Sequence, residues 1–182
     1  MIIIVVGMPG SGKDIFVQEA AKLGFSHIRM GDMVRLYAGE SGIGPDDSSI
    51  GGFATIQREK FGPEIWAKRT LEKMPAGDVI IDGSRSLAEI QLFKSQFRDE
   101  LRVIGIEAPQ EMRFSRLKAR GREDDPKAMK EFKSRDEREL SWGLQEALEN
   151  VDIKIINDKS LNEFRNECQA VLQEIIRQGK SF

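Results

Sequence analysis

Apolar residues fall along this chain in short unbroken runs, separated by longer stretches where they recur every three or four positions. Met1-Ile2-Ile3-Ile4-Val5-Val6 is the first run, and it predicts a strand buried on both faces. A helix is expected from near Lys13, with Ile15, Phe16, Ala20 and Leu23 at helical spacing. Ser26 to Arg29 predicts a short strand. Helices near Asp32 to Glu40, Ile50 to Phe61 and Pro63 to Met74 follow and form a helical insert. Asp78 to Ile81 reads as a buried strand, Ser86 to Phe97 as a helix, Leu101 to Ile106 as a strand, and Pro109 to Arg120 as a helix entered by a first-turn proline. A long helical pattern spans Lys127 to Glu149 with an irregularity at Gly143, and Ile153 to Ile156 is the last strand. The final helix opens on Ser160-Leu161-Asn162-Glu163, a capping box. Five strands alternating with helices predict an α/β protein: a parallel sheet covered on both faces, with ligand at the carboxyl ends of the strands. Gly42 to Ser49, rich in Gly, Asp and Ser, is expected to be a mobile loop. No repeat, low-complexity tract or linker divides residues 1–182, so a single domain is expected.

Composition narrows the partners. The chain is 40% hydrophobic and 32% charged, ordinary for a globular protein, and its net charge of -2 supplies no global basic field for nucleic acid or an acidic membrane. The longest apolar run is the six residues at the start, too short for a signal core or a membrane span, so a cytoplasmic protein with small-molecule partners is expected. Cys168 is the single cysteine and lies with Leu161, Phe164, Val171, Leu172 and Ile175 at helical spacing, which predicts core packing. His27 beside Ile28 reads as structural.

Chemistry enters at Gly7-Met8-Pro9-Gly10-Ser11-Gly12-Lys13-Asp14, which fits the phosphate-binding pattern G-x-x-x-x-G-K directly after the first strand. The glycines let successive backbone N–H groups curl toward phosphate oxygens, the helix start adds its positive dipole end, and Lys13 reaches the outer phosphates. ATP is the expected ligand, with Mg2+. Asp14 stands where a Ser or Thr hydroxyl usually meets the magnesium ion. A carboxylate about 5 Å from a phosphate charge is repelled by about 3 kcal/mol at an effective dielectric near 20. Asp14 therefore either binds the metal, directly or through water, or stands as a dipole-favoured acid in the first helical turn.

The Ser-Gly-Lys-Asp ending resembles that of phage-type deoxynucleoside monophosphate kinases and animal-type phosphomevalonate kinase. Met30-Gly31-Asp32-Met33-Val34-Arg35 is similar to the T-G-D-M-L-R segment of adenylate kinases, and the resemblance assigns Arg35, beside Asp32, to an acceptor monophosphate. Arg58 and Arg69 are candidates to complete that pocket. Asp82 closes the third strand as a candidate for holding magnesium through water. Asp82-Gly83-Ser84-Arg85 is similar to the D-G-F-P-R segment of adenylate kinases, with Arg85 one residue early, and Ser84 to Phe93 resembles phosphomevalonate kinase.

Arg113, Arg116 and Arg120 fall within about 60° of one another on a helix, one basic stripe. Arg116 to Asp125, with Arg120, Arg122, Asp124 and Asp125, resembles the lid of short-lid nucleoside monophosphate kinases, here expected over about 120–128. Lys13, Arg116, Arg120 and Arg122 are thereby the expected catalytic cations. Asn157, in Ile156-Asn157-Asp158-Lys159-Ser160, falls where such kinases hold the adenine. Taken over nearly its whole length, the chain resembles an archaeal group of P-loop kinase-like proteins similar to adenylate and dephospho-CoA kinases. That resemblance implies a P-loop NTPase fold with strand order 2-3-1-4-5, an acceptor-binding insert about 32–74 and a short lid. The activity it implies is transfer of the γ-phosphoryl group of ATP to a phosphate-bearing acceptor, most simply a nucleoside monophosphate. A dephospho-CoA kinase, a nucleotide-binding regulatory protein with weak ATPase activity, and a nucleic-acid-associated ATPase using the basic stripe are the alternatives.

Overall fold

A computed structural model describes residues 1–122 and 125–179. Glu123 and Asp124, and with them part of the expected lid, lie outside the described residues. The elements in chain order are β1 (Ile2–Val6), α1 (Lys13–Ala21), β2 (Ser26–Arg29), α2 (Met30–Glu40), α3 (Asp47–Phe61), α4 (Ile65–Leu71), β3 (Val79–Ser84), α5 (Leu87–Phe97), β4 (Leu101–Glu107), α6 (Gln110–Arg120), α7 (Met129–Ser141), α8 (Leu144–Glu149), β5 (Ile153–Ile156) and α9 (Leu161–Gly179).

The five strands form one all-parallel sheet in the order β2-β3-β1-β4-β5. Central β1 is apolar throughout because both its faces are covered. Ile2, Ile4 and Val6 pack with Trp66, Phe93 and Leu144 on the face covered by α2, α4, α5 and α8. Ile3 and Val5 pack with Phe16, Phe164 and Cys168 between the sheet and α1 and α9. Cys168 is fully buried there, and burial pushes its thiol up to about 12.

Several boundaries differ from the sequence expectation for local reasons. The chain turns out of α1 after Ala21, leaving Leu23 exposed. The Asp46 carboxylate accepts the Ser49 N–H at 2.9 Å as an N-cap, so Asp47 to Ser49 open α3 rather than extend the loop. The long pattern after Lys127 is two helices, broken at Gly143, whose φ of 97° favours glycine. Pro109 precedes α6 as its cap instead of occupying the first turn.

One irregularity aims the functional ends. β1 and β3 run in step from Ile2 opposite Val79 to Val5 opposite Asp82, but Val6 faces Ser84, so Gly83 is an extra residue in β3 with φ 97°. The bulge separates Asp82 from Arg85, which lines both of the pockets described below.

Candidate functional site

The loop between β1 and α1 carries the phosphate pattern. Gly10 and Gly12 hold φ of 78° and 109°, the left-handed region that curls the loop. Neighbours fix the same requirement from outside: a Cβ at Gly10 would lie 2.6 Å from the Arg113 carbonyl oxygen, and one at Gly12 would strike the Asn157 amide. Lys13 opens α1 and donates its ammonium to the carbonyls of Gly7 at 2.7 Å and Met8 at 3.1 Å. Burial pushes its pKa down to about 8, against the pull of Asp82 in the other direction.

Around this loop opens a cavity of about 480 Å³ whose wall includes Gly10, Lys13, Asp14, Arg29, Arg35, Asp82, Arg85, Arg116, Arg120, Arg122 and Asn157. Asp82 is buried at the end of β3. Its Oδ2 accepts Arg29 Nε at 3.2 Å, whereas its Oδ1 is buried with no partner among the described residues. Asp14 accepts Arg29 Nη2 at 2.8 Å on one oxygen, and Arg120 Nη1 and Arg122 Nη2, each at 3.5 Å, on the other. Burial works to raise the Asp14 pKa, but Arg29, Arg122 and Arg120 outweigh it and hold the carboxyl below its usual range.

The arginine stripe of α6 divides by depth. Arg113 is buried, forms a two-pronged pair with Asp136 of α7 at 2.9 and 2.5 Å, and donates to the Pro9 carbonyl at 3.1 Å, so it braces the phosphate loop from behind. Arg116 Nη2 reaches Asn157 Oδ1 at 3.1 Å, leaving its Nη1 buried without a hydrogen-bond partner. Arg120 grips Asp125 at 2.9 and 2.5 Å, and Arg122 stands over Asp14. The Asn157 amide donates to the Ser11 carbonyl at 2.8 Å. Both ends of its side chain are thus engaged in joining β5 to the loop and to α6.

A smaller chamber of about 90 Å³ lies behind the first cavity, toward α2, α3 and α7, and shares Gly31, Arg35, Gly83, Arg85 and Arg135 with it. Arg58, Arg138, Asp47, Glu139, Trp66 and Trp142 complete its polar and aromatic lining. Arg58 donates to Glu89 at 3.0 Å and stacks 4.3 Å from the Trp142 ring, with Nε and Nη1 buried and unpartnered. Glu89 caps α5 through Ser86 and also accepts the Arg85 N–H at 2.6 Å. Arg85 pairs with Glu139 of α7. Burial would raise the Glu139 pKa, but Arg85 and Arg135 hold it below the usual carboxylate range. Arg138 and Arg135 both reach Asp47 at the start of α3, at 2.5 and 3.3 Å.

The fold gathers Lys13, Asp14, Arg35, Asp82, Arg85, Arg116, Arg120, Arg122 and Asn157 on one cavity wall and puts Arg58 in the inner chamber. Asp32 is exposed and pairs with Arg35 at 3.1 Å. Arg69 packs over the Tyr37 and Trp66 rings at 4.0 and 4.7 Å and donates to Gln57 at 2.7 Å. Four residues the sequence did not flag are central: Arg29, Asp47, Glu139 and Asp136. Arg29 alone had a readable position, at the carboxyl end of a predicted strand. The three acids lie on helix faces that look solvated in sequence and become paired only where α7 meets α6, the start of α3 and the end of β3.

A family model described as an AAA domain matches residues 6–133. A UPF0200 protein of Thermoplasma acidophilum is 44% identical over 174 residues, spanning 95% of this chain and 96% of its own. Among solved structures, a shikimate kinase from Bacteroides thetaiotaomicron superposes with a TM-score of 0.67 over 97% of this chain and 98% of its own at 15% identity. A dephospho-CoA kinase from Campylobacter jejuni does so at 0.50, over 96% of each chain and 22% identity. At these identities the likeness to the kinases is one of fold.

Proposed function

From the premise that this chain belongs to the UPF0200 family and folds as a P-loop kinase-like protein with an AAA domain over residues 6–133, we propose that it is an ATP-dependent phosphotransferase. It moves the γ-phosphoryl group to a phosphate-bearing small molecule, most simply a nucleoside monophosphate. One observation carries this reading. The loop with Lys13, the strand-end Asp82 and the three arginines Arg116, Arg120 and Arg122 line one cavity, and the inner chamber opens from it across Arg35 and Arg85. A donor triphosphate on the loop and an acceptor anion at the shared wall are adjacent in that arrangement.

In the transfer, an acceptor oxygen forms a bond to the γ-phosphorus while the bond to the bridging β-oxygen breaks and ADP leaves. Charge spreads over the three equatorial oxygens, and the protein's contribution is position and cations. Lys13 serves the donor phosphates, Arg116, Arg120 and Arg122 the transferred group, and Arg35, Arg85 and Arg58 the acceptor. Magnesium, when bound, neutralises the donor phosphates. The buried, unpartnered Oδ1 of Asp82 suits a hold on it through water. Asp14, the other acid the sequence puts forward for metal, has both oxygens taken by Arg29, Arg120 and Arg122.

A second reading, a nucleotide-binding regulatory protein with weak ATPase activity, is favoured by Asp14 in place of a hydroxyl and by the guanidiniums around it. Dephospho-CoA is the alternative acceptor. ADP release measured with nucleoside monophosphates, with dephospho-CoA and with no acceptor separates these readings. We expect acceptor-dependent turnover. Arg35→Ala should raise the acceptor KM about tenfold or more, and Arg122→Ala should lower kcat by a comparable factor, because the first group binds ground and transition states alike and the second chiefly the transition state. ADP release indifferent to every acceptor would leave the regulatory reading.

A further inference from the structure

The last residue of β2 lies opposite Asp82 in the sheet register, and from there one guanidinium spans two carboxylates. Arg29 Nε meets Asp82 Oδ2 at 3.2 Å and Nη2 meets Asp14 Oδ1 at 2.8 Å. These are the two acids whose chemistry suits magnesium, yet the oxygens that Arg29 leaves over differ in their surroundings. Asp82 Oδ1 is buried without a partner near Lys13, while Asp14 Oδ2 faces Arg120 and Arg122 at 3.5 Å. A cation already bridges the pair, and two more close the outer side of Asp14. A divalent ion touching Asp14 would have to enter among three guanidiniums, whereas Asp82 Oδ1 offers an oxygen that no guanidinium holds, with Lys13 and Arg85 as the nearby cations.

The geometry points to Arg29 as a positioning residue that divides the labour of the two acids: it presents Asp82 Oδ1 to the metal and holds Asp14 as the docking post for the lid arginines. In this arrangement Asp14 stands in for phosphate charge and, together with Asp125, which grips Arg120 at 2.9 and 2.5 Å and accepts the Arg122 N–H at 2.9 Å, keeps Arg120 and Arg122 over the cavity until a phosphoryl group takes them over. The metal half of the inference rests on the phosphotransfer reading; the docking half stands without it.

The test uses the whole chain, with amide hydrogen exchange over residues 116–122 measured without ligand and Mn2+ binding to the ADP complex followed by electron paramagnetic resonance. Asp14→Asn keeps the size of a one-third exposed side chain and removes the charge. We expect exchange over 116–122 to quicken about fivefold, the scale that weak solvent-facing ion pairs allow, and the Mn2+ dissociation constant to move less than about twofold. Arg29→Lys, whose single ammonium cannot span both acids, should quicken exchange similarly and weaken Mn2+ about tenfold through loss of Asp82 orientation. Asp14→Asn that weakens Mn2+ tenfold, or that leaves exchange over 116–122 unchanged, overturns the assignment. If the protein binds no ADP, the phosphotransfer reading falls, and the exchange measurement still decides whether Asp14 docks the lid.

Discussion

The phosphate loop and the inner chamber are neighbours with opposite construction. The loop is built of backbone: its shape comes from left-handed glycines wedged against the Arg113 carbonyl and the Asn157 amide, and one side chain, Lys13, supplies charge. The chamber is built of side chains. Arg58, Arg85, Arg135 and Arg138 face Asp47 and Glu139, with Glu89 behind, and almost every group depends on a partner from another element. A backbone site tolerates no added atom, and its shape does not depend on any one charge. A charge network tolerates small changes of shape but suffers when one member is neutralised.

The contrast can be broken most severely at Gly12. Gly12→Ala combines an unfavourable φ with a Cβ against Asn157 and 2.9 Å from Phe164, and should cost about 4 kcal/mol in chemical unfolding while the chamber's own residues are untouched. On the other side, Glu139→Gln keeps the shape and removes one buried negative charge, leaving Arg85 in excess. We expect a loss of about 3 kcal/mol by the same measurement, with triphosphate binding in calorimetry nearly retained. Equal damage to triphosphate binding from both variants would show that the two sites are one.

The mildest test is pH. Lys13 titrates near 8 against an ordinary value of 10.5 because burial disfavours its charge. Below pH 8 it is charged in both folded and unfolded protein. As pH rises from 8 toward 10.5 the folded protein gives up the proton first, so stability gains across that window while triphosphate affinity falls. Calorimetry at pH 7 and pH 9 in buffers of different ionisation enthalpy should show proton uptake on binding at pH 9 and little at pH 7.

The same difference in construction explains what the sequence made legible. The sheet, its parallel sense and the loop rest on local signals: an unbroken apolar run, glycine spacing, a capping residue. Gly143 broke the long helical pattern where its residue type said it would. Arg113 illustrates the opposite case. At helical spacing it belongs with Arg116 and Arg120, but α7 brings Asp136 against it and buries it, so its charge braces the loop instead of facing ligand. Glu139 and Asp47 carried no local mark at all, because their partners are set by packing between distant segments. Asn157 was legible as a site position, but its side chain proves to be a tie between β5 and the loop.

That tie spans 146 residues. Residues 7–13 are synthesised long before residue 157, so on a growing chain the glycine loop can sit at the end of β1 without the amide that props Ser11 or the Phe164 ring that packs beside Gly12. A ribosome-bound chain halted before β5 therefore carries a glycine loop that lacks two of its native contacts.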